Sequence, residues 1–126
     1  MEFKNHILIV EDEQINRELL KIYLESHYRL MFATDVDTAI QLINTTSFGL
    51  IITDIRLSGG LDGIELLQYI RKQPNMKDIP VIAYTASETS VNQKSFAEEG
   101  FDGFIYKPAL QEEILQKVAT LLAESK

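Results

Sequence analysis

The sequence predicts an α/β fold, a parallel sheet with helices packed on both faces. Two observations predict it. Short apolar runs alternate with longer amphipathic segments along the whole chain. Most of those runs are apolar at consecutive positions, the pattern of strands buried on both faces; a strand with one face in water would alternate. Strand–helix–strand repeats require right-handed crossovers and parallel pairing. Five such units, (βα)5, fit a doubly wound flavodoxin-like sheet in the strand order 2-1-3-4-5.

Each element has its own signal. The first strand is His6–Val10, followed by a helix over Glu13–Ser26 with Ile15, Leu19, Ile22 and Tyr23 on one stripe. Tyr28–Ala33 is the second strand, and Val36, Ala39, Ile40 and Ile43 recur at helical spacing over Val36–Thr45. Leu50–Thr53 is the third strand. The third helix, Ile64–Lys72, follows Asp62, a good N-cap, with Glu65 three residues on. Pro80 opens the fourth strand, Val81–Tyr84, where a proline is tolerated. A fourth helix near Thr89–Glu99 rests on a thin stripe, Val91 and Phe96. Phe104–Tyr106 is the fifth strand, and Leu110, Ile114, Val118 and Leu121 mark a last helix over Leu110–Leu122.

Composition narrows the function classes. With 126 residues the chain reads as one domain, 1–126, large enough to bury a core without staples. Apolar residues at 45% and charged residues at 25% exclude a disordered or collagen-like chain. The net charge of −7 repels phosphate backbones and argues against direct nucleic-acid binding. The absence of cysteine excludes disulfides, thiolate metal sites and thiol catalysis. Apolar runs of about five residues fall far short of a membrane span. Ile7–Val10 is too short for a signal-peptide core, and Glu2 stands where a basic leader would be, so a cytoplasmic location is expected.

In a doubly wound sheet, ligands bind beyond the carboxyl ends of the strands, at the switch point between strands 1 and 3. Strand 1 runs into Glu11-Asp12-Glu13, strand 3 into Asp54, strand 4 into Thr85, and strand 5 into Lys107-Pro108. Strand 2 ends near Thr34-Asp35, on the far side of strand 1. Carboxylates crowded at one edge repel each other and lose solvation. A hard divalent cation relieves that; Mg2+ takes one or two carboxylates plus phosphate oxygens. Lys107 suits phosphate oxygens as a point charge, and Thr85 can donate a hydroxyl to the same group. An Asp carboxylate can accept a phosphoryl group as an aspartyl phosphate. Asp54, alone at the end of the central strand, is assigned that role. Asp12 is the chief metal ligand, with Glu11 acting directly or through water.

Five segments carry a family resemblance: Ile7-Leu-Ile-Val-Glu-Asp12, Ile52-Thr-Asp54, Asp62-Gly63, Ile79 through Ala86, and Phe104-Ile-Tyr-Lys107-Pro108. In this order they resemble the receiver domain of two-component response regulators, over essentially the whole chain. The resemblance implies Asp54 as phosphoacceptor and Glu11 and Asp12 as the Mg2+-binding acidic pair. It adds the backbone carbonyl of Arg56 as a further ligand. It implies Thr85 as switch hydroxyl, Phe104 at the switch aromatic position, Lys107 as the family's lysine, and a cis Lys107–Pro108 bond. It also implies a histidine kinase or histidine phosphotransfer domain as phosphoryl donor. The readout would be a surface of the fourth helix, fifth strand and last helix, binding a partner or a second copy. Phe104 lacks the hydroxyl that a tyrosine would bring. Between Asp54 and Asp62-Gly63 the loop Arg56-Leu-Ser-Gly-Gly-Leu61 lacks the proline common in the family and is one residue longer. The chain ends with the last helix, so it reads as a single-domain regulator or a receiver separated from a hybrid sensor kinase.

Plainer readings exist for each residue alone. Glu11-Asp12-Glu13 can be acids favouring a helix N-terminus, Lys107 a solvated charge, and Thr85 a turn residue. Tyr106 reads as a core or edge aromatic. Other functions fit less well. A phosphohydrolase of the haloacid-dehalogenase type wants a second Asp two residues after its nucleophile, where this chain has Arg56. A receiver-like binding module that is never phosphorylated would have no need of the whole residue set. A flavodoxin-like cofactor site lacks its phosphate loop after strand 1. The expectation is therefore a switch that catalyses only its own aspartyl phosphorylation and dephosphorylation.

Overall fold

The computed structural model of the protein describes residues 5–55, 63–86 and 100–124. Five strands form one parallel sheet: β1 (His6–Val10), β2 (Arg29–Ala33), β3 (Leu50–Thr53), β4 (Val81–Ala86) and β5 (Gly103–Lys107). Their order is β2-β1-β3-β4-β5, the order expected from the sequence. Among the described residues there are four helices: α1 (Gln14–Leu24), α2 (Val36–Thr45), α3 (Gly63–Arg71) and α4 (Gln111–Glu124). Element ends differ from the sequence reading by three residues or fewer, the usual latitude of frayed termini. The helix expected near Thr89–Glu99 and the Arg56–Asp62 loop lie outside the described residues.

Consecutive apolar positions in the strands serve two cores, because successive side chains point to opposite faces. Leu8, Val10, Ile51, Val81 and Ala83 pack with Val36, Ala39 and Ile43 of α2 and Leu66, Leu67 and Ile70 of α3. Ile7, Ile9, Leu50, Ile52, Ile82, Tyr84 and Ile105 pack with Leu20 and Leu24 of α1 and Ile114 and Val118 of α4. No helix among the described residues is long and apolar enough to cross a membrane.

The expected stripe of α1 is corrected. Leu20 and Leu24 are fully buried, whereas Ile15 and Ile22 are 76% and 61% exposed. Apolar residues surround this helix over more than one face, so periodicity leaves its rotation open, and packing against the sheet and α4 decides it. Leu110, counted on the stripe of the last helix, is also exposed, since it precedes the first turn.

Two anchors hold the chain at the strand ends. Asp35 caps α2, its Oδ1 accepting from the Thr38 N–H at 2.7 Å, which accounts for this acid on the far side of the sheet. Opposite the carboxyl edge, Arg71 donates to the carbonyls of Lys77, Ile79 and Gly100 and to Asp102 Oδ2. Asp102 Oδ2 also accepts from the Val81 N–H. One guanidinium, with its planar fork of donors, thus binds the end of α3 to the entries of β4 and β5.

Candidate functional site

The carboxyl ends of β1, β3 and β5 converge as the topology requires. The ladder continues one residue past each of two strands, with Glu11 N–H donating to the Ala33 carbonyl and Asp54 N–H to the Val10 carbonyl. Glu11 and Asp54 therefore leave the sheet side by side and are both buried, at 1% and 7% exposure. Asp12, one residue further along, is half-buried. Each of these three carboxylates offers an oxygen, and all three oxygens lie within 4.8 Å of one another.

Lys107 enters this group from β5. Its Nζ lies 2.7 Å from Asp54 Oδ2 and 2.9 Å from Glu11 Oε1. The first contact is a directed hydrogen bond; the second is close enough for an ion pair but is not oriented as a hydrogen bond. The ammonium also lies 5.2 Å from the centre of the Tyr84 ring, within cation–π range. The Lys107–Pro108 peptide bond is cis, as the resemblance implies.

Local contacts hold the carboxylates in place. Glu11 Oε2 accepts from the Glu13 N–H, and Arg17 Nη1 donates to the Glu11 carbonyl from the second turn of α1. Thr53 Oγ1 donates to the Asp54 carbonyl. Gly63 N–H donates to the Ile55 carbonyl and brings the start of α3 against the end of β3. Gly63 has no room for a side chain: a Cβ there would overlap the Asp54 carbonyl oxygen.

Thr85 is buried at the end of β4. Its register partner on β5 is Tyr106, while Phe104 pairs with Ala83, two residues further from the edge. Phe104 packs near Phe101, ring centroids 6.5 Å apart, on the α2–α3 face. The structure thus gathers Glu11, Asp12, Asp54 and Lys107, sets Thr85 at the neighbouring strand end, and leaves Phe104 lower on the sheet. Arg56 lies outside the described residues. Sequence reasoning missed Tyr84, Arg17 and the steric demand at Gly63. Only the Asp62-Gly63 pair had given a hint of these.

Burial is the main force on Glu11 and pushes its pKa up; the Lys107 and Glu13 contacts pull the other way without cancelling it. Burial would lower the pKa of Lys107, but its contacts with Asp54 and Glu11 outweigh that and leave it raised. An acid whose folded pKa exceeds its ordinary value stabilises the fold fully below that value, 4.5, and loses the contribution as pH rises through the folded pKa. In chelator, the contribution of Glu11 to stability is therefore expected to fall as pH rises above 4.5. Glu11→Gln should flatten that slope and leave the metal-free protein at least as stable at neutral pH. Urea unfolding across this range checks it, and an unchanged slope in the variant would refute the assignment.

Three carboxylates facing one ammonium leave net negative charge and a set of oxygen donors, which fits a hard divalent cation. A family model described as the response regulator receiver domain matches residues 7–119. The chain belongs to this family. As a receiver domain it is 31% identical to the phosphate regulon transcriptional regulatory protein PhoB of Escherichia coli, over 92% of this chain and 51% of that protein. It is 36% identical to the transcriptional regulatory protein ResD of Bacillus subtilis, over 92% of this chain and 47% of that protein. The chain thus spans about half the length of the curated relatives it matches. Among solved structures, the receiver domain of a signal transduction histidine kinase from Syntrophus aciditrophicus superposes with a TM-score of 0.86 at 32% identity, covering 97% of this chain and 92% of that one. The receiver domain of a sensor histidine kinase from Pseudomonas aeruginosa superposes with a TM-score of 0.85 at 27% identity, covering 94% and 98%. That structure holds a magnesium ion coordinated in its active-site cleft. Receiver domains of this kind thus occur both in transcriptional regulators and in sensor kinases.

Proposed function

We propose that residues 1–126 form one receiver domain that takes a phosphoryl group onto Asp54 and changes its binding surface in response. The observation that carries this reading is the Lys107 ammonium set between Asp54 and Glu11, at 2.7 and 2.9 Å, beside Asp12. The donor is the phosphohistidine of a histidine kinase or phosphotransfer domain. An Asp54 carboxylate oxygen attacks phosphorus as the P–N bond breaks. The imidazole departs and takes a proton, leaving an aspartyl phosphate.

Asp12, Asp54 and the Arg56 carbonyl would hold Mg2+, with Glu11 acting directly or through water. The cation supplies neutralisation of phosphoryl and carboxylate charge at this edge. Lys107 remains charged at neutral pH and pairs with phosphoryl oxygens. Positioning and charge compensation are the whole of the chemistry asked of this site. Thr85 then moves its hydroxyl onto the phosphoryl group, and Phe104 follows. A two-state equilibrium is biased because the modified site interacts differently with the two states. The responding surface is that of the residue 89–99 segment, β5 and α4, which binds a downstream protein or a second copy. The proposal places this exchange in the cytoplasm, without membrane insertion or direct nucleic-acid contact.

Intact mass after incubation with acetyl phosphate tests the reading. One phosphoryl adduct is expected on the wild type, dependent on Mg2+ and absent from Asp54→Asn. An adduct that persists in the variant would mean the wrong nucleophile. No adduct on the wild type, even from a phosphorylated histidine donor, would overturn the function.

A further inference from the structure

Tyr106 combines features that a core aromatic does not need. It lies on β5, one of the two edge strands of the sheet. Ile105 packs into the α1–α4 core, so Phe104 and Tyr106 point to the opposite face. The register pairs Tyr106 with Thr85 on β4. Register partners in a parallel ladder share a face, their strands about 4.8 Å apart. The proposed phosphoryl-sensing hydroxyl and the Tyr106 side chain therefore stand on adjacent strands, one residue before Lys107.

The tyrosine itself is half-buried, but its hydroxyl oxygen is fully buried and has no hydrogen-bond partner among the described residues. Buried polar side-chain atoms are almost always paired, and an unpaired one bears its whole desolvation penalty. A phenylalanine would fill nearly the same volume without that penalty. Phe104, two residues earlier on the same face, has no hydroxyl to contribute.

We propose that the Tyr106 hydroxyl is the hydrogen-bonding member of this chain's switch. It lacks a partner in the unphosphorylated arrangement and gains one when the Asp54 site takes up a phosphoryl group and Thr85 shifts. Tyr106 then adds to this coupling a hydrogen bond that Phe104, on the same strand, cannot make. A group unpaired in one state and paired in the other supplies the differential free energy that a switch requires. This inference rests on the function proposed above.

Beryllium fluoride with Mg2+, a stable mimic of a phosphoryl group on a carboxylate, is the probe. Wild type should bind it, seen as a rise in Tm, and Asp54→Asn should not. Tyr106→Phe should be at least as stable as wild type without the probe and bind it about fivefold more weakly, the effect of one net hydrogen bond. If Tyr106 acts through Thr85, the double variant Thr85→Val/Tyr106→Phe should bind no more weakly than Thr85→Val alone. A Tyr106→Phe variant that binds as tightly as wild type would overturn the proposal. So would one less stable without the probe, because its hydroxyl must then already be paired. A wild type that ignores the probe would remove this inference together with the function; a normal wild-type response with an unaffected variant would remove this inference alone.

Discussion

Lys107→Met is expected to lower the stability of the metal-free protein by about 3 kcal/mol at neutral pH, the scale of removing one partner from a buried ion pair. The lysine faces two buried carboxylates, Glu11 at 1% side-chain exposure and Asp54 at 10%, and is itself only 14% exposed. Methionine keeps most of the stem volume, so the loss reports the charge. Without the ammonium, Glu11 retains the burial that already raises its pKa and loses a contact that lowers it. Its folded pKa therefore climbs further, and the variant's deficit should shrink as pH falls and Glu11 takes up a proton. In the wild type the raised pKa of Lys107 gives a contribution fully present below 10.5 and lost as pH rises through the folded value. Wild type should therefore weaken at high pH in a way the variant does not. Saturating Mg2+ should restore more stability to the variant than it adds to the wild type, because the variant site carries one more net negative charge. Chemical denaturation in chelator and in Mg2+ measures all of this. A variant as stable as wild type at neutral pH would show that the ammonium does not compensate these carboxylates.

The second large effect is expected at a residue with no functional group. A Cβ on Gly63 would overlap the Asp54 carbonyl oxygen and lie 3.0 Å from the Asp54 carbonyl carbon and the Ile55 Cα. These are backbone atoms at the end of a central strand and cannot swing aside as a side-chain tip can. Gly63→Ala should therefore cost about 2 kcal/mol, within the range for overpacking a close-packed site. It should also displace the Asp54 backbone. A shift of about 1 Å at a reacting group can slow transfer roughly 100-fold, so phosphorylation should suffer more than stability. Gly103→Ala is the matched control: its Cβ would meet the Lys117 and Leu121 side chains at 3.1 and 3.4 Å, and the lysine can move. Rates of acetyl phosphate labelling for the two variants, set beside their unfolding free energies, separate the cases. Equal labelling rates would show that the contact at Gly63 does not position Asp54.

Much of the site was legible because strand ends in a parallel sheet are set by chain order. Once β1 and β3 are neighbours, Glu11 and Asp54 must emerge together, and β5 brings Lys107 to the same edge. The rotation of α1 was not legible. Ile15 and Ile22 are as apolar as Leu20 and Leu24, and only contact with the sheet and α4 selects the buried pair. Within Glu11-Asp12 the sequence made Asp12 the chief metal ligand but left the surroundings of the two acids open. Adjacent acids look alike in sequence, but one is sealed beneath Lys107 and the other is half-exposed.

By itself the sequence determined the alternation of apolar runs and amphipathic segments, and so the parallel order of the sheet. It also determined which polar residues end each strand. Both follow from local periodicity and chain connectivity. Only the tertiary structure decided that Lys107 bridges Glu11 and Asp54, that Arg71 joins α3 to the entries of β4 and β5, that Gly63 must be bare, and that the Tyr106 hydroxyl is buried without a partner among the described residues. Those facts arise where residues far apart in the chain come within a few ångströms. At that range the surroundings of a side chain, and not its identity, set its charge, its room and its hydrogen bonds.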